Sequence, residues 1–366
     1  MPTTILTLSK RSLLRPLVAL VLVMSLGTPA FADWKKSFEG ARKSLQDKDF
    51  RTAEGLALEA LNATESFKPT DDRRLNSLRL LADIYRQTRQ WAAAVGLLDQ
   101  VVAAYTSMGI EGSPDAGNLW NELGVSHHQM KDYDKAEVAY TKSLAIKRKK
   151  FKDNVASIAI VVTNLGELYR RKKDWVKAEE LHKQAISDKE NELGPDSVTL
   201  IASFNNLALV HKEQKRYDEA KTLLDRAIVL ATAGEDRGKN ADHGTALSNL
   251  GDVYASQSQH TQAKAAFEQA LTLRKEVLGP QHPHVAETLG NLANSLSALG
   301  LFDEALAHYD QALVIYRLEY GATDNRTTRT MANKAMALDR AKRPDEAKAL
   351  REEIKRLEER RNQPTP

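Results

Sequence analysis

The stretch NNLALVHKEQKRYDEAKTLLDRAIVL, residues 205–230, decides the fold, because near-copies of it recur along the chain. NLGELYRRKKDWVKAEELHKQAI occupies 164–186, NLGDVYASQSQHTQAKAAFEQAL 249–271 and NLANSLSALGLFDEALAHYDQAL 291–313. Self-similarity at a fixed period outranks the reading of any single segment, because stacked copies of one small unit build a different fold from an ordinary domain. Two markers measure the period. An alanine opens the second half of each copy at Ala53, Ala94, Ala136, Ala178, Ala220, Ala263, Ala305 and Ala347, in steps of 41, 42, 42, 42, 43, 42 and 42 residues. A leucine of the first half stands at Leu81, Leu123, Leu165, Leu207, Leu250 and Leu292, and gives way to Lys334 in the last copy.

Inside a copy the apolar spacing is helical. Leu207, Ala208 and Val210 share one face, and Tyr217, Ala220, Leu224, Ala227 and Ile228 follow at i, i+3, i+7, i+10 and i+11. Each copy therefore reads as two amphipathic helices joined by a short turn. Asp49, Asp132 and Asp174 stand four residues before their marker alanines, where a carboxylate can cap the exposed N–H groups of the second helix. LGPDS (193–197) and LGPQHPHV (278–285) follow second helices, with Gly suited to a left-handed C′ position and Pro barring continuation. Gly124, Gly166, Ala208, Gly251 and Ala293 follow the marker leucine, and the expectation is that they face the marker alanine so that two backbones approach closely. One hairpin cannot bury its apolar face alone, so stacking is required and a curved solenoid is expected.

These residues resemble the tetratricopeptide repeat, with its Leu-Gly and Tyr in the first helix, an aromatic before the second, and Ala, aromatic and Ala within the second. The 42-residue period and the LGP-x-H-P-x-V linker look like the long repeats of kinesin light chains and many bacterial proteins. The resemblance covers about residues 34–361 and implies an all-α, right-handed superhelical solenoid of about eight helix-turn-helix repeats. Departures fall at the ends: Gly40 replaces the marker leucine in the first repeat, and Lys334 and Pro344 break the pattern in the eighth. PDEAKALREEIKRLEERRN (344–362) keeps Ala347, Leu350, Ile354 and Leu357 on one face and reads as a polar-backed cap, with a short coiled coil as the alternative. The polar stretch TAGEDRGKNADHG (232–244) is expected to be a surface loop.

Lys10, Arg11 and Arg15 precede the apolar run 17–27, and Ala30 and Ala32 form an A-x-A cleavage site. That pattern predicts a signal peptide over 1–32, a repeat solenoid over 33–361 and a short tail over 362–366, with export to a periplasm or the exterior. A membrane anchor is the alternative, but the run is short of the roughly 18 apolar residues that a span needs. There is no cysteine, hence no disulfide framework and no lipid-attachment site. The formal charge of +4 falls to +1 for residues 33–366, so neither nucleic-acid binding nor stable membrane association is expected.

No phosphate-binding or dinucleotide glycine motif and no nucleophile elbow occurs. His127-His128 and His282-Pro283-His284 lack carboxylates at ligand spacing, so packing is the reading for them, with no metal and no cofactor expected. The remaining acids and bases read as solvated faces, and the chain is expected to be no enzyme.

One column resists a packing explanation. Asn164, Asn206, Asn249, Asn291 and Asn333 all stand just before the marker leucine or its counterpart, and Asn is a mediocre helix former. The resemblance implies that this position looks into a concave groove where Asn binds the backbone of an extended peptide; an amide can serve both a C=O and an N–H without reading side chains. The same amides can instead bond to neighbouring helices and hold the superhelix together. Glu122 and Leu80 interrupt the column in earlier repeats. Arg79, Arg86, Arg170, Arg171 and Lys212 lie a turn to either side, and Asp252 and Glu287 follow further on, so the N-terminal half of the groove is expected to prefer acidic segments and the C-terminal half to be more neutral, with ordinary surface charge as the alternative. The function expected is a protein-interaction module for peptide segments or partner proteins; the alternative is a scaffold that uses its convex face or its ends.

Overall fold

A computed structural model describes residues 29–150, 155–233 and 241–362, and all of its regular structure is helical. The hairpins follow the repeat register: α1 (Pro29–Gln46) with α2 (Phe50–Asn62), α3 (Asp72–Gln87) with α4 (Trp91–Ser107), α5 (Pro114–Gln129) with α6 (Tyr133–Lys150), and α7 (Val155–Arg171) with α8 (Trp175–Leu193). Then come α9 (Leu200–Glu213) with α10 (Tyr217–Ala233), α11 (Ala241–Ser256) with α12 (His260–Leu278), α13 (Pro283–Ala298) with α14 (Phe302–Tyr320), and α15 (Asn325–Arg340) with α16 (Pro344–Asn362). The helices group into two compact bodies, one closing at Asp188 in α8 and the other opening at Lys189.

The markers do what their spacing implies. All eight marker alanines are fully buried, and so are Leu81, Leu123, Leu165, Leu207, Leu250 and Leu292 to within 8%. Lys334, the break in the column, is half-buried and pairs with Asp310 of α14. What faces the glycines differs from expectation. A β-carbon on Gly124 would stand 2.4 Å from the Tyr140 ring, on Gly251 2.6 Å from Phe267 and on Gly166 2.8 Å from His182. The hollow is taken by the ring four residues after the marker alanine, so these glycines admit an aromatic edge rather than a second backbone.

The turns explain why each first helix stops. Lys48, Arg89, Lys131, Lys173, Lys215, Ser258 and Lys342 have φ between 60° and 65°, and Gly300 has 81°. The next N–H reaches back five residues, as in Asp49 to Ser44 O (2.9 Å), Asp132 to His127 O (2.9 Å) and Arg216 to His211 O (2.9 Å), which is the Schellman closure. The aspartates then cap the second helix: Asp49 accepts from Thr52 N at 3.1 Å and Asp174 from Lys177 N at 3.3 Å. His282 caps α13 by accepting from His284 N at 3.1 Å, which gives that histidine a structural role. Gly279, after α12, has the expected positive φ but an extended ψ (88°, 153°), a region open essentially to glycine alone and matched to the proline that follows.

Neighbouring hairpins are clamped by cations whose sequence pattern had pointed to solvated faces. Lys147 in α6 is 2% exposed and donates to Asn118 Oδ1 and Ser157 Oγ, both at 2.6 Å. At the equivalent place Lys189 donates to Ser203 Oγ (2.9 Å) and Thr199 O (3.1 Å), and Arg274 to Thr288 Oγ1 (2.7 Å) and His284 O (3.0 Å). Burial pushes the Lys147 ammonium down to about 8. Lys147 thereby ties α6 to α7, and Arg274 ties α12 to α13.

At the far end α16 lays Ala347, Leu350, Ile354 and Leu357 against the preceding helices, as a cap requires. α10 and α11 extend into the stretch expected as a loop, which leaves 234–240 outside the described residues. The signal-peptide reading falls largely on 1–28, also outside them; α1 begins at Pro29 and so runs through Ala30 and Ala32.

Candidate interaction face

First helices touch one another along one side of each body: α1 with α3 and α5 with α7 in one, α9 with α11, α11 with α13 and α13 with α15 in the other. Their polar side chains meet there as rungs. In the first body Trp34 Nε1 donates to Ser77 Oγ (2.9 Å), and Asn164 Nδ2 donates to Asn121 Oδ1 (3.1 Å). In the second, Asn205 Nδ2 donates to Asp242 O and Asn291 Nδ2 to Asp252 Oδ1, each at 3.1 Å.

The five column asparagines therefore differ in state. Asn164 and Asn291 each use the amide nitrogen on a neighbouring repeat. Asn206 and Asn249 are buried, and Asn291 and Asn333 half-buried. Two column atoms, Asn164 Oδ1 and Asn249 Nδ2, are buried with no hydrogen-bond partner. Buried amides are nearly always paired, so these two atoms are exceptions within the column.

The basic residues expected on this face all stand beside carboxylates. Arg86 lies 3.9 Å from Glu122 of the next repeat and 3.8 Å from Asp83 of its own. Arg79 sits in the field of the same Glu122 and of Asp115. Arg170 and Arg171 both bind Glu167, at 2.6–2.7 Å, and Glu167 and Arg170 are 4% exposed or less. Lys212 reaches Asp252 of the next repeat at 3.7 Å. Burial pushes the Asp252 carboxyl up to about 6, Lys212 opposing and Glu287 reinforcing the rise.

Sequence reasoning missed Asn121, Glu122 and Glu167 as members of this network. A signal existed for Glu167: an acid two residues and a base five residues after the marker leucine, as in Asp83 with Arg86 and Glu167 with Arg170. That i,i+3 spacing puts both on one helical face. Among the described residues there is no His/Asp/Glu group arranged to hold a metal, and no helix is long and apolar enough to cross a membrane.

Stacked helical hairpins with polar rungs along their first helices define an all-α repeat protein whose first helices present a polar face. Models of the tetratricopeptide repeat match residues 77–109, 115–187, 154–233, 242–313 and 285–356. The chain belongs to the tetratricopeptide repeat family. No curated protein matches it by sequence.

Among solved structures it is similar to the apo quorum sensor NprR from B. thuringiensis, at 11% identity and TM-score 0.66, over 91% of this chain and 89% of that one. NprR in complex with its cognate peptide NprX gives 16% identity and 0.54 over 87% and 88%. A Rap protein complexed with Competence and Sporulation Factor gives 14% and 0.54 over 91% and 99%. A putative kinesin light chain of Podosopora anserina, with nearly identical TPR-like repeats, is 19% identical at TM-score 0.48, over 56% and 96%. The likenesses to NprR and to the Rap protein are likenesses of fold.

Proposed function

We propose that the chain is an exported, non-enzymatic interaction module that takes an extended peptide or partner segment along the first helices of a body. The observation that carries the reading is the amide column itself: five asparagines in one helical register, two of them with a buried polar atom that no protein group satisfies. An extended backbone offers the complementary C=O and N–H groups at each step, and each bond formed contributes about 0.5–1.5 kcal/mol net. That NprR, of similar fold, is known with a bound peptide supports a peptide as ligand. Export rests on the basic start, apolar run and A-x-A site of residues 10–32.

A second reading has an observation of its own. The bonds from Asn164 to Asn121 and from Asn291 to Asp252 make the column a brace between repeats. The two readings separate at Asn206 and Asn249. Residues 33–366, immobilised beside the folded variant Asn206→Ala/Asn249→Ala, are exposed to envelope extract and the retained proteins identified. Partner loss by a variant of unchanged helicity and melting supports the binding face. Retention of the same partner, with a lowered melting temperature, assigns the column to bracing.

A further inference from the structure

The cations along the first helices of each body are each paired with an acid of the chain itself. Arg86 is held by Glu122 and Asp83, Arg170 and Arg171 by Glu167, and Lys212 by Asp252. Two of these acids, Glu122 and Asp252, come from the following repeat, so the compensation is built across the stacking contact rather than within one helix. We infer that Glu122, Glu167 and Asp252 are specificity determinants that turn acidic partners away and leave the face selective for segments without net negative charge, held through their backbone.

The inference rests on the reading that this face takes a partner, and its physics is that of competition. An acidic side chain could bind Arg86 or Lys212 only by displacing the internal carboxylate, which would then be stranded beside it in partly buried surroundings. At longer range an ion pair presents a dipole, whose field dies away faster than that of a single charge, so acidic segments are not steered in. The amide column is indifferent to such charge, since it addresses C=O and N–H groups.

The test uses fluorescein-labelled hexaglutamate as the acidic probe, followed by anisotropy at low ionic strength. It compares residues 33–366 with Glu122→Gln, Asp252→Asn and the double variant, which keep side-chain shape while removing a negative charge from beside Arg86 and Lys212. The wild type is expected to bind the probe weakly and each variant about tenfold more tightly, with added salt erasing the gain. Equal probe affinity for wild type and both single variants overturns the inference, as does a gain that salt leaves untouched. Helical circular dichroism checks folding, and two independent single variants guard against loss of one. The capture experiment with the asparagine variants stays separate: its failure removes the binding face, whereas failure here, with capture intact, removes only the charge filter.

Discussion

The imidazole of His182 lies over Gly166, so close that a β-carbon on that glycine would stand 2.8 Å from ring atom Cε1. The ring is fully buried in this hollow and neither nitrogen has a hydrogen-bond partner. Tyr140 over Gly124 and Phe267 over Gly251 show that the hollow is shaped for a six-membered ring.

Acid should therefore destabilise the first body. Burial holds the His182 imidazole down to about 4, and His128 down to about 4 as well, against about 6.5 in the unfolded chain. Between those values the unfolded state binds protons that the folded state refuses, so stability falls as pH drops from 6.5 toward 4. His182→Phe, which copies the Phe267 arrangement, should melt higher and lose part of that slope. Parallel melting-versus-pH curves for wild type and variant would sink the idea.

Glycine-to-alanine changes should sort by what the new methyl meets. Gly251→Ala drives a β-carbon to 2.6 Å from Phe267 and should cost about 1–3 kcal/mol by overpacking. Gly96→Ala, in α4 with nothing within 4 Å, should instead stabilise by roughly 0.5–1 kcal/mol through helix propensity. Thermal melts followed at the helical band measure both, and the opposite signs are the point.

The left-handed turn residues are a reserve of stability. Lys131 and Lys173 carry φ of 62° and 61° and bear the Cβ clash that glycine escapes. Lys131→Gly and Lys173→Gly should each raise stability by about 1 kcal/mol, whereas Gly300→Ala should lower it by a similar amount. Unchanged melting in the lysine variants would show that the turn imposes no strain.

The Glu167 carboxylate should be among the costliest side chains to remove. It satisfies the buried Arg170 guanidinium through two bonds of 2.6 and 2.7 Å and Arg171 through a third of 2.7 Å. Glu167→Leu strands that charge and should cost about 3–5 kcal/mol. The double variant Glu167→Leu/Arg170→Met should recover much of the loss, and failure to do so would assign the cost to packing.

The repeat register, the hairpins, the marker alanines and the aspartate caps could all be read in the sequence because each is written in local spacing. The buried charges could not. Lys147 and Lys189 look like ordinary surface lysines until the helix one repeat on supplies Ser157 and Ser203. Likewise Asn164 meets Asn121 across 43 residues, a relation that helical periodicity within one segment does not encode. Lys131 and Lys173 hid the left-handed turns, because the Schellman closure is a backbone arrangement that a lysine endures without announcing. The asparagine column was visible as a pattern, but whether its amides turn to a neighbour or to a ligand depends on distances between helices.

The rungs and clamps have one more consequence. Trp34 to Ser77, Lys172 to Asp134, Arg226 to Glu190 and Arg317 to Glu353 join residues 36–43 apart, and so do the asparagine rungs. A chain emerging end-first, from a ribosome or through a narrow pore, can thus secure each hairpin as soon as the following one has cleared the exit. Such vectorial folding needs no residue to wait for the far terminus, and it keeps the length of unassembled, sticky helix at any moment close to a single repeat.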